Sequence, residues 1–143
     1  MRFSIQKQKF SRLSGLMTLV SSLSILVVHL IRAEHFKLSH FSALLLGCAP
    51  NFFGSIALTF LLVILVYIFP AKRTDIDASL LVKRLLGYSF FAFISLALWE
   101  YLQYLFWQYP IDNMDILASF IAAVLAFFIG WLYIKQNQEK CVG

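Results

Sequence analysis

Four apolar runs, each close to the length of a bilayer-crossing helix, constrain this chain more than any other feature. A helix needs about 20 apolar residues to cross the hydrocarbon core of a membrane. The first run, Leu13 to Ile31, holds nineteen residues without a charge and is bracketed by Arg12 and Arg32. A second uncharged stretch reaches from Phe41 to Phe69, a third lies at about 85–105, and a fourth at about 116–134. Hydrophobic residues make up 61% of the 143-residue chain and charged residues 13%, where soluble domains sit near half and about a quarter. A water-soluble fold of this size has too little interior to hide that surface, so lipid must solvate part of it.

The first run follows a basic leader of Arg2, Lys7, Lys9 and Arg12, as a signal peptide would. It is longer than a signal core, and Ile31-Arg32-Ala33 lacks the small-x-small cleavage pattern. It reads as an uncleaved first span over 13–31. The second stretch, 29 residues, is roughly 43 Å long as one helix, too long for one untilted span. Pro50 interrupts it, and proline suits a helix start better than a helix interior. The second span is therefore expected over 52–69, with Asn51 as N-cap and 38–49 as an interfacial or re-entrant segment. Lys72 to Arg84 is expected as a polar loop with a surface turn from Ile76 to Val82. The expected fold is an all-α, single-domain bundle of four transmembrane helices, with spans near 13–31, 52–69, 85–105 and 116–134.

The charges predict an orientation. The leader, the loop between spans two and three, and the tail carry ten Lys and Arg between them. The opposite side has Arg32 and Lys37 alone, with Asp112 and Asp115 in the third loop. The positive-inside rule then places both termini in the cytoplasm. The net charge of +5 arises from these membrane-flanking clusters, which suit anionic lipid rather than nucleic acid. Two cysteines, Cys48 and Cys141, fall on opposite sides in this topology and should not pair. Leu45-Leu46-Gly47-Cys48 mimics a lipoprotein box but follows a complete span, where that signal does not belong.

Within the spans, Glu100 stands out. It lies sixteen residues beyond Arg84, about 24 Å along a helix and near the outer boundary. A carboxylate at a span centre costs about 2.5–3.5 kcal/mol, which the ten Leu, Ile and Phe residues of span three offset at roughly 0.3–0.6 kcal/mol each. Gln103 shares its face. One reading makes the pair a polar site open to the outer leaflet, and the other makes Glu100 a staple between helices. Asp112 and Asp115 stand at N-cap spacing before span four. They serve either as caps or, with Glu100 and Gln103, as an acidic rim for a bound group. Ala118, Ala122, Ala126 and Gly130 recur every four residues, a ladder that lets another helix approach closely, whether from this chain or another subunit. His29, His35 and His40 are spaced by six and five and do not share a helical face, so no metal site is expected. No phosphate loop, nucleophile elbow, CxxC or HExxH pattern supplies a catalytic signature or a cofactor.

The segment Trp99-Glu100-Tyr101-Leu102-Gln103, followed by Asp112 and Asp115 opening the next span, resembles the VanZ-like family. These are small multi-span bacterial membrane proteins named for a teicoplanin-resistance accessory. Pro50-Asn51-Phe52 matches a feature of the wider family. The likeness covers mainly residues 95–130. It departs where the family often has Arg before the acids and this chain has Gln108 and Tyr109. It departs again at Ser119, where the family often has Asn, and at Ala122 and Ala123 in place of glycine. The resemblance implies a protein of the bacterial plasma membrane and cell envelope. Membrane lipid is the expected partner, with an amphiphile or lipid headgroup bound among Glu100, Gln103, Asp112 and Asp115. The alternatives are an accessory subunit of a larger membrane complex, docked through its small-residue faces, and a lipid-modifying enzyme or transporter acting at Glu100.

Overall fold

A computed structural model describes residues 3–34, 39–68 and 75–140. Arg2, His35, Lys37, Phe69, Lys72 and Cys141, which entered the reading above, lie outside the described residues. The chain runs β1 (Phe3–Gln6), α1 (Lys7–Ala33), α2 (His40–Leu62), a π-helical continuation (Val63–Ile68), β2 (Asp75–Asp77), α3 (Ala78–Trp107), α4 (Asn113–Gln136) and β3 (Glu139–Lys140). Four of these helices are long and apolar enough to cross a membrane. The all-α expectation holds for this bundle.

A small sheet is added to it. β1 lies between β2 and β3 and pairs antiparallel with both. Its registers match Ser4 to Asp77 and Ser4 to Glu139. The leader, the α2–α3 connection and the tail therefore meet at one end of the bundle. Lys7, Lys9 and Arg12 at the start of α1, Lys83 and Arg84 near the start of α3, and Lys135 at the end of α4 gather at this sheet end. Phe10 and Tyr133 bring α1 and α4 together there, with ring centroids 6.1 Å apart. The Tyr133 hydroxyl also donates to the Lys9 carbonyl at 3.2 Å.

Three boundaries differ from expectation, each for a local reason. Helix α3 begins at Ala78, not near Leu85. Asp77 caps it, accepting from the Ser79 and Leu80 amides at 2.8 and 3.2 Å, and Leu81 is buried. The expected polar loop is thus a strand and two helical turns in its described part. Helix α1 likewise takes in the basic leader from Lys7, because Phe10 is fully buried in the core.

The third difference concerns Pro50, which sits inside α2 rather than at its start. Residues 40–49 are the first turns of one continuous helix, capped by Ser39 through the Ser42 amide. No separate interfacial or re-entrant segment precedes the span within 40–49, and Asn51 caps nothing. Proline at position 50 cannot donate to the Leu46 carbonyl four residues earlier. The Arg32 guanidinium does so instead, reaching the Leu46 and Gly47 carbonyls at 2.5 and 2.6 Å. Proline is tolerated in a spanning helix where a neighbour re-satisfies the freed backbone groups, and here α1 provides that neighbour.

Helix α2 touches all three other helices, while α4 packs against both α2 and α3. The apolar core, including Phe10, Phe60, Val63, Leu81, Leu85 and Ile134, fills the half nearer the sheet. Small residues close the α4 interfaces: Ser119, Ala122, Ala123, Ala126 and Gly130 are all buried. The Ser55 hydroxyl donates to the Ser119 carbonyl at 3.1 Å, joining α2 to α4. Leu16, Leu23 and Leu30 on α1, Phe90 and Phe91 on α3, and Phe120 on α4 are half or more exposed. Apolar side chains displayed along four long helices are what lipid contact requires.

Helix α3 ends at Gln108, a left-handed residue with φ 59° and ψ 22°, whose amide donates to the Tyr104 carbonyl at 3.1 Å. A side chain is strained in that region and glycine is not. Gln108→Gly is expected to raise the stability of the purified protein by about 0.5–1 kcal/mol. Thermal unfolding in detergent reads this, and an unchanged or lowered midpoint would contradict it.

Candidate functional site

At the end opposite the sheet, the helices part around an open cavity of about 670 Å3. This is the size of a site for a small organic molecule. Helix α1 contributes His29 and Arg32 from its last turns, and α2 contributes Gly47, Pro50 and Asn51. Helix α3 contributes Trp99, Glu100, Gln103 and Trp107. The α3–α4 connection and the start of α4 supply Tyr109, Pro110, Asp112 and Asp115. All four residues singled out from the sequence as a polar cluster line this one cavity.

Their roles differ in detail. Glu100 is 8% exposed, and its Oε1 accepts from the Asn51 side-chain amide at 3.0 Å. That bond joins α3 to α2 across the proline-containing segment, so Glu100 both ties two helices and faces the cavity. Asp112 is the N-cap of α4 and accepts from the Met114 amide at 2.8 Å. Asp115 lies in the first turn of α4 rather than before it, and its Oδ1 is buried without a hydrogen-bond partner. Its backbone carbonyl accepts from the Ser119 hydroxyl at 2.8 Å. Glu100, Asp112 and Arg32 all lie within electrostatic reach of the Asp115 carboxyl group. Gln103 is partly buried on the cavity wall.

The ladder on α4 is used inside the bundle. Ala122, Ala126 and Gly130 are buried, and Ala118 is partly so. A Cβ at Gly130 would meet Leu85 Cδ2 of α3 at 2.5 Å, so the close approach belongs to the α3–α4 contact.

Sequence reasoning missed Arg32 and Asn51. Arg32 entered only as a flanking and topology charge, and Asn51 only as a cap and as part of the Pro50-Asn51-Phe52 resemblance. The available signal was Pro50 itself: it orphans a carbonyl four residues back, in a segment where only a neighbouring side chain can answer. Trp99 and Trp107 were not marked as a pair, yet their rings stand 6.1 Å apart at the rim. His29 lines the cavity, and His40 lies at the start of α2. Among the described residues, no three His, Cys, Asp or Glu side chains come close enough together to hold a metal ion.

Comparison with known proteins finds no family model, no curated protein and no solved structure that matches this chain.

Proposed function

We propose that this chain is a small multi-pass protein of the bacterial cell envelope that binds the headgroup of an amphiphile in the cavity at the α3–α4 end. The observation that carries the reading is convergence. Glu100, Gln103, Asp112 and Asp115 come from two helices and a loop, and all face one open space of about 670 Å3. These are also the residues on which the VanZ-like resemblance rests, and that kinship is part of the proposal. Exposed Trp99, Trp107 and Tyr109 at this end suit the headgroup level of a bilayer, where amphipathic rings gather. The basic clusters of the sheet end support a cytoplasmic position for both termini, which leaves the cavity facing the outer leaflet of the plasma membrane.

The accessory-subunit reading, which drew on small-residue faces including the α4 ladder, stays as the alternative, although Ala122, Ala126 and Gly130 of that ladder are buried inside the bundle.

Glu100→Gln tests the headgroup site. Glutamine keeps the shape and an oxygen for Asn51, so helix packing should change by no more than about 1 kcal/mol. The carboxyl group is removed from the cavity. Protein released from nanodiscs of bacterial polar lipid is expected to retain an amphiphile in native mass spectrometry, and the variant about tenfold less. Equal retention with an unchanged melting midpoint would reduce Glu100 to a helix staple and overturn the proposal.

A further inference from the structure

We propose that the groove between α3 and α4 seats an acyl chain of an anionic phospholipid, whose headgroup Lys83 and Lys135 hold at the sheet end. This site lies toward the opposite end of the bundle from the Glu100 cavity and does not rest on the reading of that cavity.

The groove is a second cavity, of about 290 Å3, and no polar atom is exposed on its wall. Ser89 lies on its floor with its hydroxyl covered. Leu86, Phe90 and Phe93 line one side along a single stripe of α3, and Phe120, Val124 and Phe128 line the other along α4. The stretch from Phe120 to Phe128 is about 12 Å of helix. The Phe93 and Phe120 rings meet at 5.5 Å across the end away from the sheet. Leu86, Phe90, Phe120 and Phe128 are exposed along the rims. A shallow apolar trough on the lipid-facing side of a spanning bundle suits a hydrocarbon chain.

Each stripe continues toward the sheet into one lysine. Lys83 precedes Leu86 by three residues and Phe90 by seven, so it stands on the same face of α3. Lys135 follows Trp131 by four residues and Phe128 by seven, on the same face of α4. The helices run antiparallel with Leu85 beside Gly130, which brings both lysines to the same mouth of the groove. Both are exposed, and the Lys135 ammonium stands 5.5 Å from the Trp131 ring centroid. Trp gathers at the headgroup level of a bilayer, where lysine lays its stem on apolar surface and extends its charge outward. Helix α3 has no acid between Ala78 and Trp99, and α4 has none after Asp115. A negatively charged headgroup therefore meets two cations and no carboxylate from these helices.

A second copy of the chain is the poorer occupant. Paired about a two-fold axis through the groove, it would set these lysines against their own counterparts, like charge on like.

The test uses the full chain in detergent and native mass spectrometry, with phosphatidylglycerol and phosphatidylcholine of matched acyl chains as probes. Each lysine is expected to favour the anionic headgroup about fivefold. The unaltered protein should therefore bind phosphatidylglycerol at least about tenfold more tightly. Lys83→Gln with Lys135→Gln should cut that preference to about twofold or less. Arg12→Gln with Arg84→Gln removes the same charge from α1 and from another face of α3, and should leave the preference in place. Val124→Trp fills the groove from its rim and should weaken phosphatidylglycerol binding about tenfold. Equal binding of the two lipids by the unaltered protein overturns the proposal, as does full binding by Val124→Trp. Equal losses in the two paired variants would mean a diffuse basic belt and overturn the groove site. So would a lipid-free dimer that Val124→Trp breaks, which gives the groove to a second copy. Glu100→Gln should keep the preference; its loss there would move the lipid to the other cavity and sink the proposal.

Discussion

Replacing Arg32 by Met should destabilise the protein by about 1 kcal/mol, the net worth of hydrogen bonds made where water can reach the freed carbonyls. The same replacement should cost little once Pro50 is changed to Ala. The reason lies in one exchange of hydrogen bonds. Pro50 leaves the Leu46 carbonyl without its helical donor, and the Arg32 guanidinium serves it together with the Gly47 carbonyl. In Arg32→Met the stem still packs but no donor remains. The open cavity lets water take up part of the deficit, which keeps the cost well below that of a deeply buried charge pair. Ala at position 50 restores an N–H aimed at Leu46, so the arginine has less to supply. A double-mutant cycle followed by thermal unfolding in detergent isolates this coupling. Additive effects of the two changes would show that Arg32 serves some other purpose.

Gly130→Leu should cost more, about 3 kcal/mol or above, near the upper range for overpacking a core. Even the first added carbon would stand 2.5 Å from Leu85 Cδ2 and 3.5 Å from its Cγ. Leu85 is completely buried and cannot swing into lipid without opening the core around Leu81 and Ala126. The remedy should be reciprocal. Leu85→Ala alone is expected to lose about 2–5 kcal/mol to its cavity, but in combination the leucine side chain introduced at position 130 fills that space. The pair should therefore lose less than the sum of the single changes. Equal stability of Gly130→Leu and the unaltered protein, measured on the isolated chain, would mean that this face of α4 does not carry the α3 contact. The small-residue ladder would then be free for another subunit.

The sequence revealed the helices more readily than the way they meet. Span number was legible because hydrocarbon thickness and helical rise turn each apolar run into one crossing. Boundaries were less so. The start of α3 depends on Asp77 as a cap and on Leu81 finding the core, and neither is visible from a window that ends at the charged Lys83 and Arg84. The sheet joins strands of two to four residues drawn from three remote parts of the chain. No local pattern can announce such pairing, although Phe3–Gln6 does alternate apolar and polar. Pro50 misled for a similar reason: the arginine that rescues it is eighteen residues earlier in sequence and on another helix.

The site was partly legible for the opposite reason. Acids near the ends of apolar runs are conspicuous because lipid penalises them, so Glu100, Asp112 and Asp115 could be found without a structure. Their neutral and cationic companions could not. Asn51 is inexpensive at a helix start, and Arg32 looks like any flanking charge. Only the fold shows that one binds Glu100 and the other serves the carbonyls beside it.

The central strand of the sheet imposes an order on biogenesis. β1 is made first, yet one of its edges is met only by Glu139–Lys140, and Ser4 must wait for a partner 135 residues later. At roughly 5–20 residues per second, that interval is on the order of ten seconds or more. Until α4 has been threaded through the bilayer, the amides and carbonyls on that edge stay unmatched. Closure of this three-part clasp thus records that α1 to α4 have all been made and brought together. A translocation stalled after the third helix would leave an open edge for a chaperone or protease to grip.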